Sequence, residues 1–212
     1  MQEEHESLLE NQTWDLVPLP PGRKLVRCKW VYRTKRAANR QVRRYKARLV
    51  SNGFQQIHGI YYDDTFSPVE KMDSIHLALA IAATKGWEVH QMDVKNAFLH
   101  GDLSEEIYME QPHGFIHNSS LVCKLKMFLY GLKQAPRAWY EKMDSYLLSH
   151  DFVRCKFESN VYMLRTTNSV MILVLYVDDL LITGSSASAI SLVKYILHDR
   201  FSMMDMGPLH LC

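Results

Sequence analysis

The chain has 212 residues, of which 47% are hydrophobic and 23% charged, a composition typical of a soluble globular protein with one or two domains. No apolar run approaches the roughly 18 residues needed to cross a membrane, and the four widely spaced cysteines argue against a disulfide framework or a structural zinc site. The acidic N-terminus carries no secretory signal, so we expect an intracellular protein without a membrane partner.

The net charge of +2 hides a strong segregation of charge along the chain. Twelve Lys or Arg residues and no acid lie between Arg23 and Arg48, whereas the rest of the chain has thirteen basic and twenty-three acidic residues. An ordinary solvated surface normally mixes the two signs. The segregation therefore favours a surface that binds a polyanion, such as nucleic acid or nucleotide phosphate.

Residue alternation predicts a basic hairpin after a short N-terminal helix that ends near Trp14. Strands are predicted over residues 25–33 and 42–50, joined by a polar turn near Ala38. In the second strand the alternation separates a basic face from an apolar one: Arg44, Lys46 and Arg48 against Tyr45, Ala47 and Leu49. The hairpin should therefore have a cationic face and an aromatic underside.

The remaining elements mix helices and strands without repeats, which indicates an α+β fold. Helices are predicted over 74–85, 136–150 and 188–201, and strands over 87–93, 161–165, 170–177 and 180–183. For the first of these helices, Asp73 or Ser74 is a candidate N-cap and Gly86 a candidate terminator. Pro136 suits the first turn of the second helix.

An acidic pair, Asp178-Asp179, lies between two apolar strands and must occupy a tight turn at the edge of a core. Acids are common in turns, so ordinary turn chemistry is one interpretation. Two adjacent carboxylates beside a hydrophobic sheet nevertheless repel each other unless cations compensate them. Asp93 ends another predicted strand, and the three carboxylates would converge if that strand lay beside the hairpin. Such a group suits Mg²⁺, which binds a few carboxylates and leaves room for substrate phosphates.

Several segments resemble the conserved motifs of one family, the copia-type reverse transcriptases of LTR retrotransposons. Tyr176-Val177-Asp178-Asp179 is similar to the Tyr-x-Asp-Asp motif of reverse transcriptases, and the segment 91–99 (QMDVKNAFL) to the first catalytic motif of copia-type elements. The segment 129–139 (LYGLKQAPRAW) resembles their template- and nucleotide-contacting segment. Residues 44–50 (RYKARLV) and 65–69 (TFSPV) are further signatures, and the ordered set spans about residues 3–211.

The resemblance implies an RNA-directed DNA polymerase domain, residues 1–212, that uses two Mg²⁺ ions, or Mn²⁺ in their place, to join a dNTP to a primer on an RNA or DNA template. It implies a right-hand polymerase fold with an antiparallel palm sheet packed on helices. Residues 25–69 would be mainly fingers and 70–212 mainly palm, with the thumb missing because it would follow residue 211. The family context is a virus-like particle in the cytoplasm or nucleus.

The resemblance also implies residue roles. Asp93 and Asp178 would be the principal metal ligands, with Asp179 a supporting acid. Lys46 would grip the triphosphate, with Arg48 on the same face, although a solvated strand face remains the alternative for both. Phe98 would be a steric gate against ribonucleotides, or else a plain core residue. Tyr130, Lys133 and Gln134 would line the nucleotide site, and the expected nucleic-acid contacts are Arg43, Arg44, Gly131 and Pro136.

One departure from the family pattern supports a competing hypothesis. Residues 51–54 (SNGF) stand where the family commonly has Ala-Lys-Gly-Phe, so one fingers cation is missing. The chain could therefore be an inactive transposon remnant that still folds and binds nucleic acid. A third interpretation is that the only function of the chain is general polyanion binding by the basic hairpin.

Overall fold

The structure, a computed structural model, describes residues 1–36, 41–68 and 71–209, except for the side chains of Lys35, Arg36 and Arg43. The predicted turn near Ala38 lies outside the described residues. The chain forms two compact units. One comprises Met1–Phe66 and Phe98–Trp139, and the other Ser67–Ala97 and Tyr140–Cys212.

The described residues form four α-helices and twelve strands. The helices are α1 (Gln2–Glu10), α2 (Met72–Lys85), α3 (Ala135–Ser149) and α4 (Ala187–Phe201). The strands are β1 (Trp14–Pro18), β2 (Leu25–Val26), β3 (Cys28–Arg36), β4 (Val42–Ser51), β5 (Val89–Val94), β6 (Tyr108–Met109), β7 (Leu121–Leu125), β8 (Val153–Arg154), β9 (Val161–Arg165), β10 (Val170–Tyr176), β11 (Asp179–Gly184) and β12 (Met203–Pro208). None of these helices is long and apolar enough to span a bilayer.

The first unit contains a four-stranded sheet, in the order β1-β7-β6-β2, and the separate antiparallel hairpin β3–β4. The prediction of one strand over 25–33 is wrong, because β2 pairs in parallel with β6 whereas β3 begins a new sheet at Cys28. The hairpin itself is confirmed. Its aromatic underside is largely open to solvent, since Tyr32 is 65% exposed and Tyr45 77% exposed, whereas Leu49 is buried.

The second unit is built on one antiparallel sheet of six strands, ordered β12-β5-β11-β10-β9-β8. Helix α2 covers one face, where Ala78 packs with Ile172 and Val174. Helix α4 lies on the other face, as shown by the 3.2 Å approach of Lys194 Nζ to His90 Nδ1. The prediction of an α+β protein with an antiparallel sheet packed on helices is therefore confirmed for this unit.

The helix boundaries confirm several of the sequence signals and correct two. Helix α1 ends at Glu10 rather than near Trp14, which begins β1. Helix α2 begins at Met72 with Lys71 as its N-cap, and no side chain caps it, so the prediction of Asp73 or Ser74 as the cap is wrong. Because the helix starts earlier than predicted, both residues lie inside its first turn. Gly86 ends it in the left-handed conformation, with φ 66°, as expected. Pro136 occupies the first turn of α3, also as expected.

Candidate active site

The sheet of the second unit brings Asp93 and Asp179 directly opposite each other on neighbouring strands. Asp93 is the penultimate residue of β5, and its Cα partner in β11 is Asp179. The amide of Val94 donates a hydrogen bond to the carbonyl oxygen of Asp178 at 2.8 Å. Opposed residues of antiparallel strands project from the same face with their Cβ atoms about 5 Å apart. Asp93 thus lies beside the turn that carries Asp178 and Asp179, although it is far from them in sequence.

The alternation along β5 and β11 separates Asp93 and Asp179 from the most deeply buried positions of the two strands. Met92 and Leu180, one residue from Asp93 and Asp179 respectively, are buried on the opposite face, at 1% and 0% exposure. All three acids are half-buried. Gln91, on the same face as Asp179, donates from Nε2 to Asp179 Oδ1 at 3.0 Å. The three acids are therefore only partly exposed, and one carboxylate oxygen of Asp178 is buried.

The turn that carries Asp178 contains an unusual backbone conformation. Val177, the residue before Asp178, has φ 50°, in the left-handed region that β-branched residues rarely adopt. Residues 177 and 178 form the two-residue turn between β10 and β11, which pair from Tyr176 and Asp179 onward. Strain of this kind persists only where the surrounding structure enforces it, and here the long β10–β11 pairing does so.

The donor set at this edge fits Mg²⁺ in its chemistry. Among residues 1–36, 41–68 and 71–209, no group of three or more His, Cys, Asp or Glu side chains is arranged to hold a metal by itself. Mg²⁺, however, usually binds proteins through one or two carboxylates and takes its other ligands from water and substrate phosphates. Carboxylates from Asp93, Asp178 and Asp179 therefore suit a site that is completed by a bound substrate.

In the first unit the pairing of β3 with β4 concentrates cations on one face of the hairpin. Arg33 is opposite Lys46, and Arg48 is opposite Val31. Because opposed residues share a face, Arg33 joins the basic face predicted for β4. Lys46 and Arg48 are half-buried and Arg44 is exposed, while the side chain of Arg43 lies outside the described residues.

Three of the predicted nucleotide-contacting residues form a continuous stack in this unit. The guanidinium carbon of Arg48 lies 4.2 Å from the ring centroid of Tyr130, a cation–π contact. The ring of Phe98 packs edge-on against Tyr130, with the centroids 4.6 Å apart. Phe98 is only 8% exposed, so most of its ring is covered within the protein.

Lys133 and Gln134 connect their segment to the loop that contains Gln56, Tyr61 and Tyr62. Gln134 is 4% exposed and uses both ends of its amide. Its Nε2 donates to Tyr61 O at 2.8 Å, and its Oε1 accepts from Gln56 Nε2 at 3.0 Å. The Lys133 ammonium donates to Gln56 O at 3.2 Å and to Tyr62 Oη at 3.1 Å. Gln134 thus holds this loop in place. Lys133 is half-buried, so part of its side chain is exposed to solvent.

Replacing Gln134 with alanine is expected to destabilise the protein by about 2–3 kcal/mol, because it removes two buried hydrogen bonds and leaves the Gln56 amide unsatisfied. Chemical denaturation monitored by circular dichroism measures the change. Gln2→Ala is the matched control, because Gln2 makes an exposed hydrogen bond to Glu6 within α1. Equal stability of the two variants would contradict the role given to Gln134.

The backbone comes unusually close to itself at Gly131. This residue has φ +93°, and a Cβ at this position would overlap the carbonyl oxygen of Ser51. Across the same contact, a Cβ on Gly53 would overlap the Gly131 carbonyl oxygen. The amide of Ser51 donates to Tyr130 O at 2.7 Å. The expected close backbone approach at Gly131 is therefore present, and it joins the end of β4 to the segment that carries Tyr130.

Some contacts of the candidate site were not foreseen from the sequence. Gln56 and Gln91 carry no recognisable pattern, because each depends on a partner 78 or 88 residues away in the chain. Glu3 contacts one of the predicted nucleic-acid-binding residues, since its carboxylate forms a 2.6 Å ion pair with Arg44. Here a signal existed, because α1 is acidic and the basic segment contains no acid of its own.

Comparison with known proteins identifies the family. The sequence profile of the reverse transcriptase (RNA-dependent DNA polymerase) family matches residues 11–211. The chain is 51% identical, over 98% of its length, to the retrovirus-related Pol polyprotein from transposon TNT 1-94 of Nicotiana tabacum. It is 44% identical, over 94% of its length, to the Pol polyprotein from transposon RE1 of Arabidopsis thaliana.

A solved structure of telomerase from Candida albicans with a fragment of telomeric RNA matches with a TM-score of 0.43 and 11% identity, over 96% of this chain and 47% of that chain. The chain spans 16% of the tobacco polyprotein and 14% of the Arabidopsis one. On the strength of the profile match and the two plant relatives, the chain belongs to the reverse transcriptase family, as the reverse transcriptase domain of a copia-type LTR retrotransposon.

Proposed function

We propose that this chain forms the fingers and palm of an RNA-directed DNA polymerase that transfers a nucleotide from a dNTP to a primer 3′-OH on an RNA or DNA template. The observation that carries the proposal is the register of β5 and β11, in which Asp93 is opposite Asp179 and Asp178 adjoins Val94. Family membership supports the reaction type. The proposed site of action is a virus-like particle in the cytoplasm or nucleus.

Asp93 and Asp178 are the proposed principal ligands of two Mg²⁺ ions, with Asp179 as a supporting acid. When bound, the ions supply activation of the primer hydroxyl and stabilisation of the leaving pyrophosphate. The carboxylates hold their positions because both flanking strands are paired along their length. Gln91 fixes the orientation of the Asp179 side chain through its hydrogen bond. Because the carboxylates are already in position, the site would not have to reorganise during the reaction.

The first unit is proposed to bind the nucleotide and the template. Lys46 and Arg48 would contact the triphosphate, and Tyr130, stacked on Arg48, would pack against the base. Phe98 would sit beneath the sugar, where a bulky ring rejects a 2′-OH. Lys133 would contact the nucleotide, with Gln134 holding the adjoining loop. Nucleic-acid contacts are proposed for Arg43, Arg44, Gly131 and Pro136. Residues 25–69 would be mainly fingers and residues 70–212 mainly palm, with the thumb supplied by a further segment.

Primer extension tests this proposal. The chain would be fused to the segment that follows the matched region in the tobacco relative, and dNTP incorporation measured with and without Mg²⁺. We expect Mg²⁺-dependent extension by the fused protein and feeble extension by the 212 residues alone, because positioning of the primer provides much of the rate. Nucleic-acid binding without extension by the fused protein would favour the inactive remnant instead.

A further inference from the structure

Helix α1 contacts the basic strand β4, and its N-terminal end also reaches Tyr32 in the neighbouring strand β3. Glu3 Oε2 contacts a terminal nitrogen of Arg44 at 2.6 Å, and Tyr32 donates from Oη to Met1 Sδ at 2.9 Å. The Glu4 carboxylate accepts a hydrogen bond from the backbone amide of Leu49. These contacts fix the N-terminal turn of α1 beside the alternating cations of β4.

The two acids match the charges of that strand. Glu3 pairs with Arg44, while Glu4 lies near both Lys46 and Arg48. Burial raises the pKa of the Glu4 carboxyl, although the Leu49 amide and the two cations oppose the rise. All three described cations on the basic face of β4 therefore have a carboxylate of α1 as an electrostatic neighbour.

We propose that α1 is an internal competitor for the polyanion, whose Glu3 and Glu4 carboxylates stand in for phosphates on the basic face of β4 until nucleic acid displaces them. This inference rests on the proposed function, because it concerns the same cations. It predicts that the helix lowers the affinity of the hairpin for nucleic acid and lowers the number of counterions released on binding.

The strength of the contact suits a competitor that weakens binding without blocking it. In the Glu3–Arg44 pair the side chains are 82% and 65% exposed, and exposed pairs of this kind contribute little stability. A polyanion, which offers many phosphates at once, can replace such a pair easily. Glu4 is half-buried and hydrogen-bonded to the backbone, so its displacement by phosphate costs more than that of Glu3.

An alternative role would give the opposite result. If the acids served to position Lys46 and Arg48 for phosphate, their removal would weaken binding. The sign of the change in affinity therefore separates competition from positioning.

The test measures binding of the 212-residue chain to a fluorescein-labelled single-stranded RNA 20-mer, by fluorescence anisotropy at several KCl concentrations. For the Glu3→Gln/Glu4→Gln variant we expect roughly fivefold tighter binding at low salt. We also expect a steeper salt dependence, by about 1.4 in the slope of log K against log salt, because each of the two carboxylates removed leaves about one more positive charge to pair with phosphate, at roughly 0.7 each on a single strand.

The matched control is Glu6→Gln/Glu10→Gln, which makes the same change of net charge on the same helix at two exposed acids. We expect less than about a twofold change, because exposed charges away from the contact are screened. Glu3→Gln alone, which removes only the exposed ion pair, should tighten RNA binding by about twofold. This single variant keeps the test valid if the loss of Glu4 impairs folding.

Three results would overturn the inference: equal tightening in the control, unchanged binding in the double variant, or weaker binding. If the wild-type chain binds RNA and the double variant binds no more tightly, only the inference fails. If the wild-type chain and every variant fail to bind RNA at low salt, both the inference and the proposed function fail.

Discussion

Replacing Asp178 with asparagine is expected to lower dNTP incorporation by the fused, primer-extending protein by about a thousandfold or more. The change leaves the shape of the turn intact but removes one charge from the edge where Asp93 and Asp179 are opposed. Stabilisation of reacting oxygens by bound ions amounts to several kcal/mol, and about 4 kcal/mol corresponds to a thousandfold in rate. Single-turnover primer extension gives the rate directly.

The matched control for this variant is Glu88→Gln, which also exchanges a carboxylate for its amide. Glu88 is exposed and precedes β5, at the opposite end of that strand from Asp93. We expect the control to retain activity within about twofold, since most surface substitutions have small effects. Retention of wild-type incorporation by Asp178→Asn would remove Asp178 from the proposed metal ligands.

Replacing Gly131 with alanine is expected to destabilise the protein by about 3–5 kcal/mol, a large effect for a single methyl group. Two costs add together. Alanine resists the φ of +93°, and its Cβ would overlap the Ser51 carbonyl oxygen and lie 2.7 Å from Val50 Cγ1. Because the overlapped atom belongs to the backbone of β4, relief requires the strand to move. The free energy of unfolding from urea titration measures the effect.

Gly59→Ala separates these two costs. Gly59 has φ +76°, in the same left-handed region, yet no atom lies within 4 Å of the added Cβ. Only the conformational cost applies there, and we expect about 1 kcal/mol. Similar destabilisation by both variants would mean that the close backbone approach at Gly131 adds nothing to the loss of unfolding free energy.

The sequence predicted the elements that carry strong periodicity and missed those that depend on pairing. The strand β9 has the predicted bounds, and β10 ends one residue earlier than expected. By contrast, β6 and β8 have two residues each, too few for any alternation to appear. The break between β2 and β3 was also invisible, because alternation continues through Arg27 although the chain changes sheets there.

The candidate site likewise contains some contacts that could be predicted from the sequence and others that could not. The approach of Asp93 to the Asp178–Asp179 turn could be predicted, because Asp93 ends one predicted strand and the acidic pair joins two apolar strands that are expected in the same sheet. The environment of Gln134 could not, because its burial depends on Gln56 and Tyr61, which approach only in the folded chain. Charge patterning predicted a basic surface, and the acidity of α1 is compatible with a contact, but it does not specify that this helix lies against the basic strand.

Binding of Mn²⁺ to the 212-residue chain is the most direct test of the central claim, that the carboxylates at the end of β5 and in the β10–β11 turn form a divalent-metal site. Electron paramagnetic resonance distinguishes free from bound Mn²⁺ and needs neither primer nor thumb. We predict that Asp93→Asn and Asp178→Asn each weaken binding by about tenfold or more, because Mn²⁺ relies on the same oxygen ligands as Mg²⁺. Identical Mn²⁺ affinity in the wild-type chain and in both variants would contradict the account.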